Sequence, residues 1–110
     1  MRPLILVLTL VAFSVSTAVN ARGNAESGKA KAAQVCAVCH GADGAKPSAP
    51  EQAILAGQHY DYLVKALSDY NTGKRANAVM KAIASQLSKQ EIEDLAAWFA
   101  SQKSKLHFQR

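Results

Sequence analysis

At 110 residues the chain has room for one domain, and its high surface-to-volume ratio leaves a purely apolar core marginal without a further stabilising group. Aromatic residues make up only 6% of the chain, so its net charge of +5 comes without the clustered aromatics that would point to nucleic acid. Alanine is abundant, which favours short, closely approaching helices, and the expected class is all-α.

The first segment reads as an export signal. Met1-Arg2 is a short basic start, and Leu4 through Val15 is an apolar run of h-region length, well short of the ~20 residues that span a bilayer. Small residues follow, with Val19-Asn20-Ala21 offering a cleavage site after Ala21 and Ser16-Thr17-Ala18 a second choice. The expected organisation is a cleaved signal peptide over residues 1–21 and a single domain over residues 22–110, with an uncleaved anchor as the alternative. No later stretch of the sequence is apolar and long enough to cross a membrane.

The domain opens with a helix expected from about Ala25 to Val38. Asn24 can cap it, Glu26 complements the helix dipole in the first turn, and Ala30 to Ala33 favour helix. Gly28 inside it costs about 0.5–1 kcal/mol relative to alanine, a cost that suits close approach of another helix. At its end stands Cys36-Ala37-Val38-Cys39-His40, a Cys-x-x-Cys-His run. Two cysteines at this spacing can reach the two vinyl groups on one edge of a porphyrin, and the histidine that follows at once is placed to bind the iron as proximal ligand.

Three other readings compete for these residues. A redox dithiol would want a preceding strand and a βαβ context, whereas a helix pattern leads into Cys36. A zinc site would want a second ligand pair, yet the only other histidines are His59 and His107 and there is no third cysteine. A disulfide across two residues would close too small a loop to gain much entropy. Covalent attachment of one haem c through Cys36 and Cys39, with His40 on the iron, is the reading carried forward. Attachment of this kind in an exported chain points to a bacterial periplasm.

After His40, the residues Gly41, Asp43-Gly44, Pro47, Ser48 and Pro50 read as a loop with room to wrap one edge of the haem. One short helical turn is expected over Glu51 to Leu55, ended by Ala56-Gly57-Gln58. A full helix is then expected from His59 to Asn71, with Tyr60, Leu63, Val64 and Leu67 on its buried face and Gly73 just beyond its end. A basic connection, Gly73-Lys74-Arg75-Ala76-Asn77, leads to Met80, Ile83, Ala84 and Leu87 at helical spacing, with Asn77 as a cap. A lone methionine on such a stripe is usually core filler. Met80, though, is the one methionine left after signal removal, and a thioether opposite His40 would complete a His/Met ligand pair.

The last helix is the most clearly marked. Ser88 and Glu91 form a capping box, Glu91, Glu93 and Asp94 are expected to load its first turn with negative charge, and Ile92, Leu95, Ala96 and Phe99 form a buried stripe. Trp98 beside the stripe offers a large surface to pack on the region of Gly28. Lys103 and Lys105 suit the C-terminal end, and Leu106 to Arg110 reads as a frayed tail.

Taken in order, Cys36-Ala37-Val38-Cys39-His40-Gly41, Leu55-Ala56-Gly57-Gln58 with Tyr62-Leu63, Gly73-Lys74-Arg75 leading to Met80, and Leu95-Ala96-Ala97-Trp98 resemble a class I c-type cytochrome of the small bacterial type, like the cytochrome c5, c553 and c4 domains. The resemblance covers essentially the whole of residues 22–110. It implies the cytochrome c fold, about four to five short helices around one covalently bound haem, with the first and last helices crossing so that Gly28 lies near Leu95 and Trp98. It also implies an iron held between His40 and Met80, and a propionate contact for the guanidinium of Arg75. In the family a proline two residues before the leucine of Leu-Ala-Gly-Gln supplies a carbonyl that orients the proximal histidine; this chain has Ala53 there.

A six-coordinate iron suits a carrier of single electrons and not an enzyme. The expected partners are a redox donor and acceptor, and Lys46, Lys74 and Lys81 could steer the chain to acidic docking patches. Membership of a larger redox complex stays open. The competing class is a haem enzyme or gas sensor in which Met80 is packing, and a further option is bis-histidine ligation through His59.

Overall fold

The computed structural model describes residues 22–104, together with Pro3, Ala12 and Ser14 singly, and its secondary structure is helical throughout, with no strand among the described residues. The expected signal segment and the tail from Lys105 onward, His107 included, otherwise lie outside the described residues.

Asn24 starts the first helix, α1 (Ala25–Val35), by accepting the backbone N–H of Ser27 on its side-chain oxygen at 2.9 Å. This satisfies one of the donors that a helix start leaves unpaired. The helix ends one turn before the expected Val38. Cys36 (φ −113°, ψ −36°) closes α1 and also opens a separate single turn, α2 (Ala37–His40). Its N–H still pairs with Ala32 O at 2.9 Å while its carbonyl accepts the N–H of His40 at 3.0 Å, so the motif sits on a turn re-aimed at the end of α1. Gly41 stops α2 with φ +86°, a conformation that favours glycine, and a Cβ there would stand 2.9 Å from the carbonyl oxygen of Lys46.

The expected helical turn over Glu51 to Leu55 is absent; this stretch holds turns and bends. Its donors and acceptors are used across the loop instead. The N–H groups of Leu55 and Ala56 both donate to Gly44 O, at 2.8 and 3.2 Å, and the Gln52 carboxamide oxygen accepts from the N–H groups of Ser48 and Ala49.

The next helix, α3 (Tyr60–Thr72), is displaced by one residue from the expected span, with His59 as its N-cap and Gly73 closing it. Then come α4 (Ala78–Ala84), capped by Asn77, and α5 (Lys89–Ser101), which carries the expected capping box: Glu91 N–H donates to Ser88 Oγ at 3.1 Å, and Ser88 N–H to Glu91 Oε2 at 2.9 Å.

Helices α1 and α5 cross, with α3 packed on α5 and α4 on α3. The crossing is closest at Gly28, where a Cβ would fall 1.9 Å from the carbonyl oxygen of Asp94 and 2.9 Å from Cβ of Trp98. The glycine is there because the backbones touch. Around this point Ala32, Leu63, Ala84, Leu87, Ile92, Leu95, Ala96 and Phe99 form the buried cluster, which includes the whole expected stripe of α5. Three of these eight are alanines, so the cluster is small for its number of helices. Asp94 is buried as well, at 8% exposure, and its Oδ1 accepts from Asn24 N–H at 2.7 Å and from Gln90 Nε2 at 2.9 Å. A buried carboxylate so paired ties the start of α1 to α5 without an orphaned charge.

Candidate haem site

His40 ends α2 and faces the loop that wraps back toward it. Its Nδ1 lies 2.7 Å from the carbonyl oxygen of Ala53. A carbonyl oxygen can only accept, so Nδ1 carries the proton, and in the neutral ring the lone pair then belongs to Nε2. The imidazole is thus oriented and presents one basic nitrogen, as expected of an iron ligand fixed by a backbone carbonyl. Ala53 supplies that carbonyl without the proline common in the family. The loop is further held by Ser48 N–H donating to Cys39 O at 2.9 Å, and by Trp98 Nε1 donating to Ala42 O at 3.2 Å.

Cys36 and Cys39 are unpaired and half-buried. Burial pushes the Cys36 thiol up to about 11, with Lys31 offsetting only part of the effect. A thiol held in its protonated form is a poor thiolate for disulfide exchange or for zinc. Among the described residues no three His, Cys, Asp or Glu side chains gather into a metal-binding group. The dithiol and zinc readings therefore gain no support from the geometry.

Met80 lies in the first turn of α4, half-buried, with its N–H donating to Asn77 Oδ1 at 3.0 Å. His59 is exposed at the start of α3, where its N–H donates to Gln58 Oε1 at 2.9 Å. Arg75 is fixed from three sides. Its Nη1 donates to the Tyr62 hydroxyl at 3.4 Å, its guanidinium carbon lies 4.9 Å from the centroid of the Tyr70 ring, and its backbone N–H donates to Asp69 O at 3.1 Å. Tyr62 enters the sequence reading only within the family motif and Tyr70 not at all; their spacing of eight on α3, a little over two turns, is the signal that places both on the side of Arg75.

Large apolar side chains stay exposed beside the attachment cysteines and beside Met80. Val38, between the two cysteines, is 84% exposed and Val79, beside Met80, is 63% exposed, while Leu55, Val64, Leu67 and Tyr70 pack on the core but stay only partly buried. A flat apolar macrocycle would cover surface of this kind, and two unpaired cysteines, an oriented imidazole and a thioether sulfur on α4 are the donors a c-type haem requires. The residues present fit the group.

Comparison with known proteins agrees with this chemistry. Residues 23–99 match the family described as "Cytochrome C oxidase, cbb3-type, subunit III". The chain is 46% identical over 99 residues to cytochrome c4 of Pseudomonas aeruginosa, covering 90% of this chain and 48% of that protein. It is 37% identical over 84 residues to cytochrome c-554(548) of Halomonas halodenitrificans, covering 74% of this chain and 99% of that one. The crystal structure of reduced recombinant cytochrome c4 from Pseudomonas stutzeri superposes with a TM-score of 0.67 at 41% identity, over 74% of this chain and 46% of that chain. The chain spans about half the length of the cytochrome c4 proteins it matches. With its all-helical fold and its Cys-x-x-Cys-His turn, the chain belongs to the class I c-type cytochromes of the cytochrome c4-like kind, and its cofactor is covalently bound haem c.

Proposed function

We propose that this chain is a periplasmic carrier of single electrons, and not an enzyme, in which Cys36 and Cys39 hold the haem, His40 is the proximal iron ligand and Met80 the distal one. The observation that carries the reading is the hydrogen bond from His40 Nδ1 to Ala53 O, which leaves Nε2 as the one basic nitrogen of an oriented ring. When bound, the haem supplies a one-electron couple. The chain's own residues do the rest. His40 and Met80 would hold the iron between them and leave no place for exogenous ligands, and the thioether of Met80 would favour the reduced state. Arg75, held by Tyr62 and Tyr70, offers a fixed positive charge for a propionate.

Export after cleavage of residues 1–21 leaves a domain over residues 22–110. Among the described residues no helix is long and apolar enough to cross a membrane. The exposed Lys46, Lys74 and Lys81 would steer the domain toward acidic patches on a redox donor and acceptor. The match to a family described as an oxidase subunit makes membership of a larger redox complex the second form of the same role.

The reading is tested on purified holoprotein. Its haem should survive denaturing electrophoresis and resist acidic organic extraction, Cys36→Ala and Cys39→Ala should impair maturation, and the ferric protein should show the weak long-wavelength band of sulfur bound to iron. A high-spin ferric spectrum with fast carbon monoxide binding would instead mark an enzyme or sensor.

A further inference from the structure

Helix α4 has only seven residues, too few to hold its own shape, since helices shorter than about 12 residues are marginal in water. Its burial rests mainly on one side, where Ala84 enters the core and Leu87 follows just past the end, while Asn77, Ala78 and Val79 before Met80 are exposed. Packing alone therefore fixes the far end of the helix better than the end that carries the methionine. Two asparagine side chains fix both ends. At the start, Asn77 Oδ1 accepts the N–H of Met80 itself at 3.0 Å. At the finish, the side-chain amide of Asn71, in the last turn of α3, donates to Ala84 O at 2.7 Å and to Leu87 O at 3.2 Å. Ala84 ends α4 and Leu87 lies three residues on, so one carboxamide spans the helix end and the connection that follows it. Ala84 O is one of the terminal carbonyls of α4 and also accepts the N–H of Leu87 at 3.1 Å, whereas Leu87 O lies in the connection beyond the helix.

We propose that Asn71 and Asn77 are positioning residues for Met80, holding α4 at both ends and thereby setting how often the methionine sulfur leaves the iron. The inference rests on Met80 being the distal ligand. Neither residue touches the reacting atoms. Asn77 fixes the backbone of Met80, and Asn71 keeps α4 from swinging away from α3 about its N-terminal connection.

The readout is imidazole binding to the ferric holoprotein. Imidazole can enter only when the sulfur is off, so its apparent affinity scales with the open fraction and reports the open-to-closed equilibrium. Losing one cap or one amide clamp should raise that affinity about five- to tenfold, the effect of one ordinary hydrogen bond. Asn71→Ala and Asn77→Ala should each show the rise, whereas Asn77→Asp keeps an acceptor oxygen at the N-cap and should bind imidazole as the wild type does. If Asn71→Ala gives no holoprotein, Asn71→Asp tests the same point, because a carboxylate has the shape of the amide but no N–H to donate. Thr72→Ala, which loses only hydrogen bonds to carbonyls within α3, should leave the affinity unchanged. The proposal is overturned if the alanine variants lower the urea midpoint but bind imidazole with wild-type affinity, since the two residues would then serve general stability alone. A wild type that lacks the iron–sulfur band marks the different failure, that of the ligand assignment, and removes this proposal together with it.

Discussion

His40 and Ala53 are thirteen residues apart and joined by a 2.7 Å hydrogen bond from the imidazole Nδ1 to a backbone carbonyl. No helix brings them together; the loop from Gly41 to Leu55 does, folded back by the N–H of Ser48 on Cys39 O and the N–H of Leu55 on Gly44 O. The His40 ring is thus held by the main chain, which no single side-chain replacement can remove.

That arrangement makes Ala53→Pro an informative change. Proline keeps the carbonyl and, where the backbone already suits it, stabilises by about 0.4–1 kcal/mol through the unfolded chain. The variant should keep the wild-type low-spin spectrum and reduction potential while its urea midpoint rises. A high-spin shift in the holoprotein would show that the loop at residue 53 cannot accept the ring, and that the carbonyl is held differently than the hydrogen bond indicates.

Gly28→Ala tests the crossing of α1 and α5. A Cβ at 1.9 Å from Asp94 O cannot be accommodated by turning a side chain, because the obstacle is backbone, so the helices must part. Overpacking typically costs about 1–3 kcal/mol, and this case should lie at or above the upper end, read as a fall in the urea or thermal midpoint of the holoprotein. Alanine is the better helix former, so a stabilised variant would mean that the helices do not touch there.

Features that depend on neighbours in sequence are the ones that were legible. The caps Asn24, Asn77 and Ser88, the capping box with Glu91, and the stripe Ile92, Leu95, Ala96 and Phe99 all follow from side-chain chemistry within one or two turns, and all stand where expected. The break at Cys36 was not legible, because the alanine-rich pattern runs through it and nothing in the local sequence stops a helix there. Glu51 to Leu55 failed as a helix for a related reason: its donors go to Gly44, a partner set by the fold. Asp94 reads as a surface charge until the start of α1 is seen to deliver Asn24 N–H to it. At the site, the attachment residues were evident from spacing, whereas the Tyr62 hydrogen bond to Arg75 and the Asn71 clamp on α4 join residues thirteen or more apart, beyond the reach of a local pattern.

A third prediction concerns acid. The Glu91 carboxyl is held below its ordinary 4.5, first by the backbone N–H of Ser88 and then by Lys31, whose Nζ lies 2.9 Å from Oε1. A carboxylate with a depressed folded pKa adds stability that is present in full above its unfolded value and is lost as pH falls through the folded one. Glu91→Gln keeps an acceptor for Ser88 but not the charge. The variant should therefore be less stable than the wild type at neutral pH, and the gap should close below about pH 4.5. Urea melts of the two holoproteins across that range check it; a gap that persists undiminished at the acid end would assign the effect to the hydrogen bond and not to the charge.

Met80→Ala decides between carrier and catalyst. Met80 offers a thioether whose backbone is fixed by the Asn77 cap, and His40 offers an imidazole whose free nitrogen is defined by Ala53. Removing the thioether should open one axial position, abolish the iron–sulfur band, admit carbon monoxide to the reduced protein, and lower the reduction potential by on the order of 0.1 V, well within the range of about 0.8 V that axial ligands span. Met80→His should also lower the potential but keep a six-coordinate, low-spin iron, because imidazole is a strong-field donor that favours the ferric state. His59→Ala should change neither spectrum nor potential, since His59 caps α3 at the exposed surface. If His59→Ala yields a high-spin haem while Met80→Ala leaves the spectrum intact, the distal ligand is the histidine, and the argument from His/Met ligation to electron carriage fails with it.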